Sequence, residues 1–187
     1  MQLLVKNSRA KDYTAQFFIK QGINAQSYRA KNKEGQNLFL KIFNCSKLHR
    51  TSFDENGELL EIKILRTLKH PNIVKYIDSG EIIIEQQKFA FVTLEFITGE
   101  TLSDFLAREK HLNSYQVKEY SKSILNGLKY LHTLADPVVH NEITIQNVML
   151  DLSGNVPIPK IIDFGYARFF NQSSKTYNKE GLNPYYL

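Results

Sequence analysis

The sequence contains a single cysteine, Cys45, so no disulfide bond can form within the chain. Chains without disulfides are typical of reducing compartments, and we therefore predict a cytoplasmic location. Apolar runs such as residues 82–84 are far shorter than the roughly 20 residues that a membrane-spanning helix needs. Residues 1–20 lack a long apolar segment followed by small residues, so we expect no signal peptide and no membrane association.

Basic residues are in excess, but they are not concentrated in one stretch. The chain has 24 Lys and Arg against 19 Asp and Glu, which gives a net charge of +5. Proteins that bind nucleic acids usually carry basic clusters, often with interleaved aromatic residues, and this sequence has no such cluster. We therefore expect a solvated basic surface and no nucleic-acid partner. A hydrophobic content of 42% is ordinary for a globular protein.

The first half of the chain is rich in residues that favour strands. Aromatic and branched side chains recur at every second position, and Gly22 and Gly35 mark turns between the first three segments. One helix is predicted over residues 58–69, and it should end before Pro71 because the residue that precedes a proline disfavours helix. The predicted strands cover residues 13–20, 25–31, 37–43, 73–79 and 88–95.

The second half of the chain changes to helical periodicity. Two helices are predicted, over residues 102–108 and 113–134, and short strands and loops should follow them. The apolar stripe of the longer helix consists of Val117, Tyr120, Ile124, Leu128 and Leu131. This order of elements predicts an α+β fold, with a small sheet lobe over residues 1–96 and a helical lobe over residues 97–187.

Four polar residues have the chemistry that phosphoryl transfer from ATP requires. The reaction needs positive charge at the phosphates, oxygen ligands for Mg²⁺ and a carboxylate that orients the attacking hydroxyl. Lys41 lies toward the end of the third strand, and Glu61 lies on the following helix, where the two side chains could pair. Asp163 follows a predicted strand at residues 160–162, and Asn147 lies upstream. Each pattern is common by itself, and only their combination in this order is informative.

Together with two further segments, these residues resemble the motifs of the protein kinase family. The resemblance runs from about residue 13 to residue 187. It implies a protein kinase-like fold, in which an N-terminal lobe with a five-stranded antiparallel sheet and one helix precedes a partial helical C-terminal lobe. It also implies ATP and Mg²⁺ as cofactors and a protein as substrate or partner. The two segments are His70-Pro71-Asn72-Ile73-Val74 and His140-Asn141-Glu142-Ile143-Thr144-Ile145-Gln146-Asn147.

The resemblance implies a set of residues that bind the nucleotide. Lys41 would hold the α- and β-phosphates of ATP, and Glu61 would hold Lys41. Gly22 lies in the loop that cradles the phosphates in this family. The backbone of the stretch that contains Glu95 and Ile97 would contact adenine.

The resemblance also implies roles in catalysis and in packing. Glu142 would orient the attacking hydroxyl, and Lys41 and Asp163 would complete the catalytic set. Asn147 and Asp163 would bind Mg²⁺. A column of buried side chains would link the two lobes, and its expected members are Leu65, Tyr76, His140 and Phe164.

The nucleotide-binding residues depart from the family pattern in two places. Of three glycines expected in the phosphate loop, only one is present, and Ser27 replaces a valine that packs on adenine. Phe39 replaces an alanine, and it should share a face with Lys41 because residues two apart in a strand point the same way. Phe39 would then either fill the space of adenine or complete the core of a lobe that binds no nucleotide. The three loop positions are Lys20, Gly22 and Ala25.

The catalytic segment departs from the pattern as well. Glu142 replaces the catalytic aspartate, and its extra methylene moves the carboxylate by roughly an ångström, which can lower the rate about a hundredfold. Asn141 replaces the arginine that would receive an activation-loop phosphate. Thr144 and Asn183 replace a lysine and a threonine that act together with the aspartate in serine/threonine kinases. The class of substrate hydroxyl therefore cannot be read from these residues.

Two interpretations of the function remain open. The departures favour a kinase-like domain that is inactive or weakly active and that acts as a regulator or scaffold. The presence of Lys41, Glu61, Asn147 and Asp163 favours a divergent serine/threonine-type kinase in which Glu142 serves as the catalytic carboxylate.

The sequence stops at Leu187, before the helices that complete the family's C-terminal lobe. Without them we expect the helix over residues 113–134 to expose apolar surface, which would cause aggregation or recruit a partner. A fragment of a longer chain and a short protein that completes its fold on a partner are both compatible with this ending.

Overall fold

The computed structural model describes residues 2–4, 7 and 9–170. These residues fall into two compact units. The first comprises the described residues up to Ile62 together with Tyr76–Phe96, and the second comprises Lys63–Lys75 together with the described residues from Ile97 onward. The division into domains at residues 1–96 and 97–187 stays a prediction.

The first unit is built on an antiparallel sheet. Its strands are β1 (Arg9–Ala10), β2 (Tyr13–Gln21), β3 (Ala25–Lys31), β4 (Asn37–Phe43), β5 (Tyr76–Ile84) and β6 (Gln87–Glu95). They form six strands in the spatial order β1-β2-β3-β4-β6-β5, and each neighbouring pair is antiparallel. The predicted five-stranded antiparallel sheet is therefore confirmed, and the two-residue strand β1 extends it at one edge.

Strand β4 shows why this part of the sequence forms a sheet with one buried face. Leu38, Leu40 and Ile42 are buried, and they alternate with Phe39 and Lys41, which are only partly buried. Side chains at alternate positions of a strand point to opposite faces, so Phe39 and Lys41 share a face, as predicted. The buried face continues across the sheet and includes Tyr28, Ala30, Phe89 and Phe91.

The fourth predicted strand, over residues 73–79, is placed too early in the sequence. The strand observed is β5, which begins at Tyr76 and ends at Ile84. Ile73 instead forms an isolated parallel bridge with Ile161, and the Val74 N–H donates to the Ile161 carbonyl at 3.0 Å. Ile73 and Val74 are apolar because they are buried where they meet Ile161. From the sequence alone, two apolar residues buried in this way look the same as the start of a strand.

Helix α1 (Leu60–Thr67) is shorter than the helix predicted over residues 58–69. Before it, the Asp54 carboxylate accepts a hydrogen bond from the Glu58 N–H at 2.8 Å. A local side-chain bond of this kind competes with helical backbone bonds, so the helix begins two residues later than predicted. At the other end, the Leu68 N–H donates to the carbonyl three residues before it, which closes the helix with a tighter turn.

The second unit contains two helices that the sequence predicted within about two residues at each end. Helix α2 (Leu102–Glu109) is capped by the Thr101 hydroxyl, which accepts from the Asp104 N–H at 3.0 Å. Helix α3 (Ser114–His132) begins with a capping box, in which Asn113 and Gln116 each bond the other's backbone N–H. Such caps satisfy N–H groups that would otherwise lack a partner at the start of a helix.

Short strands complete the second unit. They are β7 (Gly99–Thr101), β8 (Val138–Val139), β9 (Val148–Asp151), β10 (Ile158–Ile161) and β11 (Arg168–Phe169). Strands β10, β9 and β7 form an antiparallel sheet in that order, and β11 pairs with β8. The sequence did not predict β1, β7 or the two 3₁₀ helices Cys45–Lys47 and Arg50–Ser52.

Helix α3 packs closely against strand β10 at Gly127. A Cβ atom at this position would lie 2.9 Å from Ile161 Cδ1 and 3.2 Å from the Asn72 carbonyl oxygen, so a larger residue would push the helix away. Tyr120 and Leu131 are buried, whereas Val117 is 47% exposed, so the predicted apolar stripe is covered only in part. Within the described residues, no helix has the length and apolar character needed to cross a membrane.

Candidate functional site

Lys41 and Glu61 form an ion pair inside the first unit. Lys41 Nζ lies 2.6 Å from Glu61 Oε1, and the two side chains are only 16% and 9% exposed. Strand β4 presents the lysine and the first turn of α1 presents the glutamate. The Phe43 ring centroid lies 5.2 Å from Nζ, close enough for a cation–π contact. The predicted pairing is present, and the amine is held in a fixed position. Its role toward a nucleotide stays a prediction.

The turn at Gly22 connects β2 and β3, where the family's phosphate loop would lie. The Gly22 N–H donates to the Ala25 carbonyl at 2.8 Å, so this backbone donor is already used within the turn. The side-chain amide of Gln21 donates to the carbonyls of Gly22 and Ala25, at 2.6 and 3.3 Å. Phosphate loops bind anions through backbone N–H groups that point at the ligand. Because the Gly22 N–H is bonded within the turn, it is one backbone donor that a phosphate could not use without breaking that bond.

A buried glutamine links this turn to the beginning of the chain. Gln26 Nε2 donates to Gln21 Oε1 at 2.6 Å, and Gln26 Oε1 accepts from the Leu3 N–H at 2.7 Å. The Tyr28 hydroxyl also donates to Gln26 Oε1, and it accepts from the Leu4 N–H at 3.0 Å. Residues 3 and 4 are therefore bonded to β3, the strand that follows the turn at Gly22. Gln21 and Gln26 could not be recognised from the sequence, because no sequence pattern marks a glutamine that pairs across a hairpin.

The face of the sheet that carries Lys41 also carries bulky side chains. Phe39 is partly buried and lies opposite Arg29 of β3 and Leu94 of β6. The Arg29 guanidinium lies 5.0 Å from the centroid of the Phe96 ring, a cation–π contact that the sequence did not reveal. Phe39 and Arg29 are therefore register partners on neighbouring strands, and Arg29 also contacts Phe96 at the end of the sheet.

The predicted adenine-contacting stretch begins at the end of the sheet. Glu95 is the last residue of β6, and its backbone lies opposite Leu38 of β4. Ile97 is 8% exposed and belongs to the second unit. Ser27, at the position of the family's valine, is buried and lies opposite Lys20 of β2 and Lys41 of β4.

The second unit brings Glu142, Asn147 and Asp163 into one hydrogen-bonded segment. Asn147 Nδ2 donates to the Glu142 carbonyl at 3.0 Å and to Glu142 Oε2 at 3.2 Å. The Ile162 N–H donates to the Asn147 carbonyl at 2.9 Å, which places Asp163 one residue from that bond. Asp163 has a φ of 61°, an uncommon conformation for a residue other than glycine. Functional sites often hold residues in such conformations.

His140 supports this segment from the core. Its Nε2 bonds the Ile162 carbonyl at 3.1 Å, and its Nδ1 accepts from the Glu142 N–H at 3.3 Å. The imidazole and the Phe164 ring meet edge to face, with centroids 4.8 Å apart. His140 and Phe164 are both buried, as expected for members of the predicted column of packed side chains. Burial lowers the pKa of His140 below its ordinary value of 6.5, although the Ile162 carbonyl and the charges of Asp163 and Glu142 act in the opposite direction.

The side-chain oxygens of Asn147 and Asp163 are chemically suited to a magnesium ion. An amide oxygen and a carboxylate are hard oxygen ligands of the kind that Mg²⁺ prefers, and Mg²⁺ usually binds through one or two such groups together with water and phosphate. Among the described residues, no cluster of three or more His, Cys, Asp or Glu side chains could hold a metal ion. The residues therefore suit a weakly ligated Mg²⁺ ion better than a metal enclosed by protein alone.

Asn141 makes a different contact from the one that the family's arginine would make. Its side-chain amide donates to the Tyr166 carbonyl at 3.0 Å, and its φ is 65°. The substitution thus supports the local loop rather than offering a cation for a phosphate group. Asn183 lies outside the residues that the structure describes.

The sequence as a whole matches known protein kinases. A profile of the protein kinase domain matches residues 13–187, and the chain therefore belongs to the protein kinase family. It is 32% identical to mitogen-activated protein kinase kinase kinase A of Dictyostelium discoideum over 68% of this chain. It is 31% identical to serine/threonine-protein kinase shk2 of Schizosaccharomyces pombe over 89% of this chain. It is 38% identical to death-associated protein kinase 2 of Mus musculus over 57% of this chain.

These relatives are much longer than the matched segment. The matches cover 12%, 27% and 28% of the three proteins, respectively. The relatives are named as kinases, and proteins of this family generally use ATP and Mg²⁺ and act on protein substrates.

Proposed function

We propose that this kinase domain transfers phosphate weakly or not at all and acts by binding a partner protein as a regulator or scaffold. The proposal includes a cytoplasmic location. The observation that carries it is the closed turn at Gly22, whose N–H donates to the Ala25 carbonyl at 2.8 Å. Phosphate binding by a loop of this kind depends on free backbone donors, and the glycines that allow close approach are reduced to one. Phe39, on the same face as Lys41, narrows the expected adenine site further.

Binding of Mg·ATP provides the first test. A ligand that binds only the folded state raises the free energy of unfolding by RT ln(1 + [L]/Kd). If the Kd equals or exceeds the nucleotide concentration, the gain stays at or below about 0.4 kcal/mol, which is the result that we expect. A Kd one hundredfold below the concentration would give about 2.7 kcal/mol and would overturn the proposed block of the pocket.

Lys41→Met is the matched control for this titration. The substitution removes the amine that would bind phosphate and leaves a side chain of similar length. A shift that persists in Lys41→Met arises outside the proposed site, whereas a shift that disappears belongs to it. The unfolding temperature of the variant without nucleotide must be measured first, because the substitution also breaks the ion pair with Glu61.

The second candidate function is that of an active, divergent serine/threonine-type kinase with Glu142 as catalytic carboxylate. The ion pair between Lys41 and Glu61, at 2.6 Å, favours it, because a fixed amine suits a phosphate-binding role. Glu142→Asp tests this alternative by moving the carboxylate back by one methylene. The assay measures transfer of labelled phosphate from ATP to casein and to the chain itself. We expect no gain, whereas an increase of about a hundredfold would show that the carboxylate position is the main defect of an otherwise working kinase.

A further inference from the structure

Glu142 holds the side chain of Asn147 at two points. Asn147 Nδ2 donates one hydrogen bond to the Glu142 carbonyl at 3.0 Å and one to the carboxylate Oε2 at 3.2 Å. An amide nitrogen has two hydrogens, and both are used by the same residue. Both side chains are partly buried, so water competes less with these bonds than at an open surface.

The backbone of Asn147 is also fixed on both sides. Its N–H is shared between the Thr144 carbonyl, at 3.0 Å, and the Thr144 hydroxyl, at 3.3 Å. Its carbonyl accepts from the Ile162 N–H at 2.9 Å. With the main chain held in this way, the orientation of the amide depends on the bonds that its nitrogen makes. Those bonds determine the direction in which Oδ1 points.

We propose that Glu142 is a positioning residue for Asn147, whose amide oxygen it presents to a divalent cation. The inference takes from the family resemblance only the expectation that Asn147 and Asp163 would hold Mg²⁺. A hydrogen bond that orients a metal ligand typically contributes about 10–100-fold to metal affinity. In this role the Glu142 carboxylate acts through Asn147, and it contacts neither the metal nor a substrate hydroxyl.

The length of the Glu142 side chain is essential to this contact. An aspartate at the same position would be shorter by one methylene, which withdraws the carboxylate by roughly an ångström or more. A bond that now measures 3.2 Å would then exceed the range of hydrogen bonds. Glutamine has the same length as glutamate, and its amide oxygen can accept the same bond without a charge. The three variants Glu142→Gln, Glu142→Asp and Glu142→Ala therefore separate length, charge and hydrogen bonding.

The first measurement is the affinity of the 187-residue chain and its variants for Mn²⁺ alone, from the electron paramagnetic resonance signal of the free ion. Mn²⁺ shares the preference of Mg²⁺ for oxygen ligands and can be counted directly. We expect Glu142→Gln to keep the wild-type Kd within about threefold. Glu142→Asp and Glu142→Ala should both weaken binding by about 10–100-fold. The unfolding temperature of each variant establishes that it is folded.

The pattern of variants decides between positioning and ligation. If Glu142→Gln loses as much affinity as Glu142→Ala, the charge of the carboxylate is what matters, and a positioning role is overturned. If none of the three variants changes the Kd, the inference is overturned as well. Asn147→Ser should abolish the same binding, which ties the signal to this site.

A second measurement does not depend on a metal. The side-chain NH₂ signals of Asn147 in a ¹H–¹⁵N correlation spectrum, assigned through their loss in Asn147→Ser, report the two hydrogen bonds directly. We expect one of the two proton shifts to move in Glu142→Ala and Glu142→Asp and to stay in place in Glu142→Gln.

The spectrum also separates failure of the positioning role from failure of the expected metal role. If the wild-type chain binds no Mn²⁺ but the NH₂ signals change as expected, Glu142 does position Asn147, and the metal-binding role is wrong. If the NH₂ signals are the same in all variants, Glu142 does not orient Asn147, whatever the metal affinity.

Discussion

The ion pair between Lys41 and Glu61 should contribute measurably to the stability of the first unit. In Glu61→Ala the lysine amine loses a partner at 2.6 Å while most of its surface stays covered. Removal of one member of a fully buried pair costs about 3–5 kcal/mol. Because Lys41 remains 16% exposed and can regain some hydration, we expect a loss of about 1–3 kcal/mol in the free energy of unfolding, measured by urea titration.

An exposed ion pair in the same sheet serves as the control for Glu61→Ala. Lys88 Nζ and Glu81 Oε1 are 2.7 Å apart, but their side chains are 67% and 62% exposed. Exposed pairs contribute little, so Glu81→Ala should change stability by less than about 0.5 kcal/mol. Equal losses in the two variants would show that burial does not strengthen the pair at Lys41.

His140 should make the stability of the protein depend on pH. Its pKa in the folded state lies below 6.5, chiefly because of burial, so the unfolded chain binds the proton more tightly than the folded one does. The contribution of neutral His140 to the free energy of unfolding should therefore be complete above pH 6.5. It should decrease as the pH falls from that value toward the folded-state pKa. The slope is limited to about 1.4 kcal/mol per pH unit for one proton.

The measurement is a series of urea titrations between about pH 7.5 and about pH 5.5. His140→Gln should reduce the slope without abolishing it, since burial lowers the pKa of His70 as well. If His140→Gln retains the full slope, the pH dependence originates elsewhere.

At the level of elements, the close pairing of β7 with β9 depends on Gly99. A Cβ atom there would lie 1.8 Å from the Leu150 carbonyl oxygen, a backbone atom that cannot move away without breaking the sheet. We expect Gly99→Ala to lower the free energy of unfolding by about 3 kcal/mol or more, measured by thermal and urea unfolding.

Gly154 offers the matched control for Gly99→Ala. It lies between β9 and β10, and a Cβ there would meet no atom within 4 Å. Gly154→Ala should be neutral or stabilise by less than about 1 kcal/mol, because it only restricts the unfolded chain. A similar loss in both variants would contradict the close approach at Gly99.

The bond between Gln26 and the beginning of the chain should protect the hairpin formed by β2 and β3. Gln26→Leu removes the acceptor of the Leu3 N–H and the donor to Gln21, so this hairpin should open more often. Each hydrogen bond lost is worth about 1 kcal/mol, so amide exchange at Leu3 and Gly22 should become at least about fivefold faster. Gln87→Leu, at an exposed strand position, is the control. Unchanged exchange in Gln26→Leu would show that the link does not stabilise the hairpin.

The elements that the sequence predicted correctly are those with a local cause. Strands β3 and β4 were predicted with their observed ends, because alternation of apolar and polar side chains is set within each strand. Residues 73–79 were misplaced because Ile73 is apolar through its bridge to Ile161, a partner far along the chain. Strand β7, only three residues long, has no pattern of its own and exists because β9 pairs with it.

The candidate site divides in the same way. Lys41 and Glu61 could be paired from the sequence, because the strand that carries the lysine and the helix that carries the glutamate are both recognisable. Neither the bond from Asn147 to the Glu142 carboxylate nor the Gln21–Gln26 pair could be predicted. Side-chain bonds of this kind depend on loop conformation and strand register, which single-sequence patterns do not contain.

At the scale of the whole molecule, apolar exposure and net charge should act against each other. Helix α3 exposes Leu125 by 62% and Val117 by 47%, which provides an apolar surface for self-association. The chain also carries a net charge of +5, so its copies repel one another at low ionic strength. We therefore expect self-association to be weak at low salt and to increase as salt screens the repulsion.

Leu125→Glu tests whether helix α3 provides that surface. Sedimentation velocity should show fewer oligomers at high salt in this variant, with stability unchanged within about 0.5 kcal/mol because the replaced side chain is exposed. Asn126→Glu adds the same charge at an exposed position of α3 that lies about 100° around the helix from Leu125, and it should leave the oligomers as they are. The prediction fails if both variants behave alike, since a change in net charge alone would then explain the result. It also fails if wild-type chain stays monomeric at high salt, because the exposed leucine would then have no measurable attraction for a second copy.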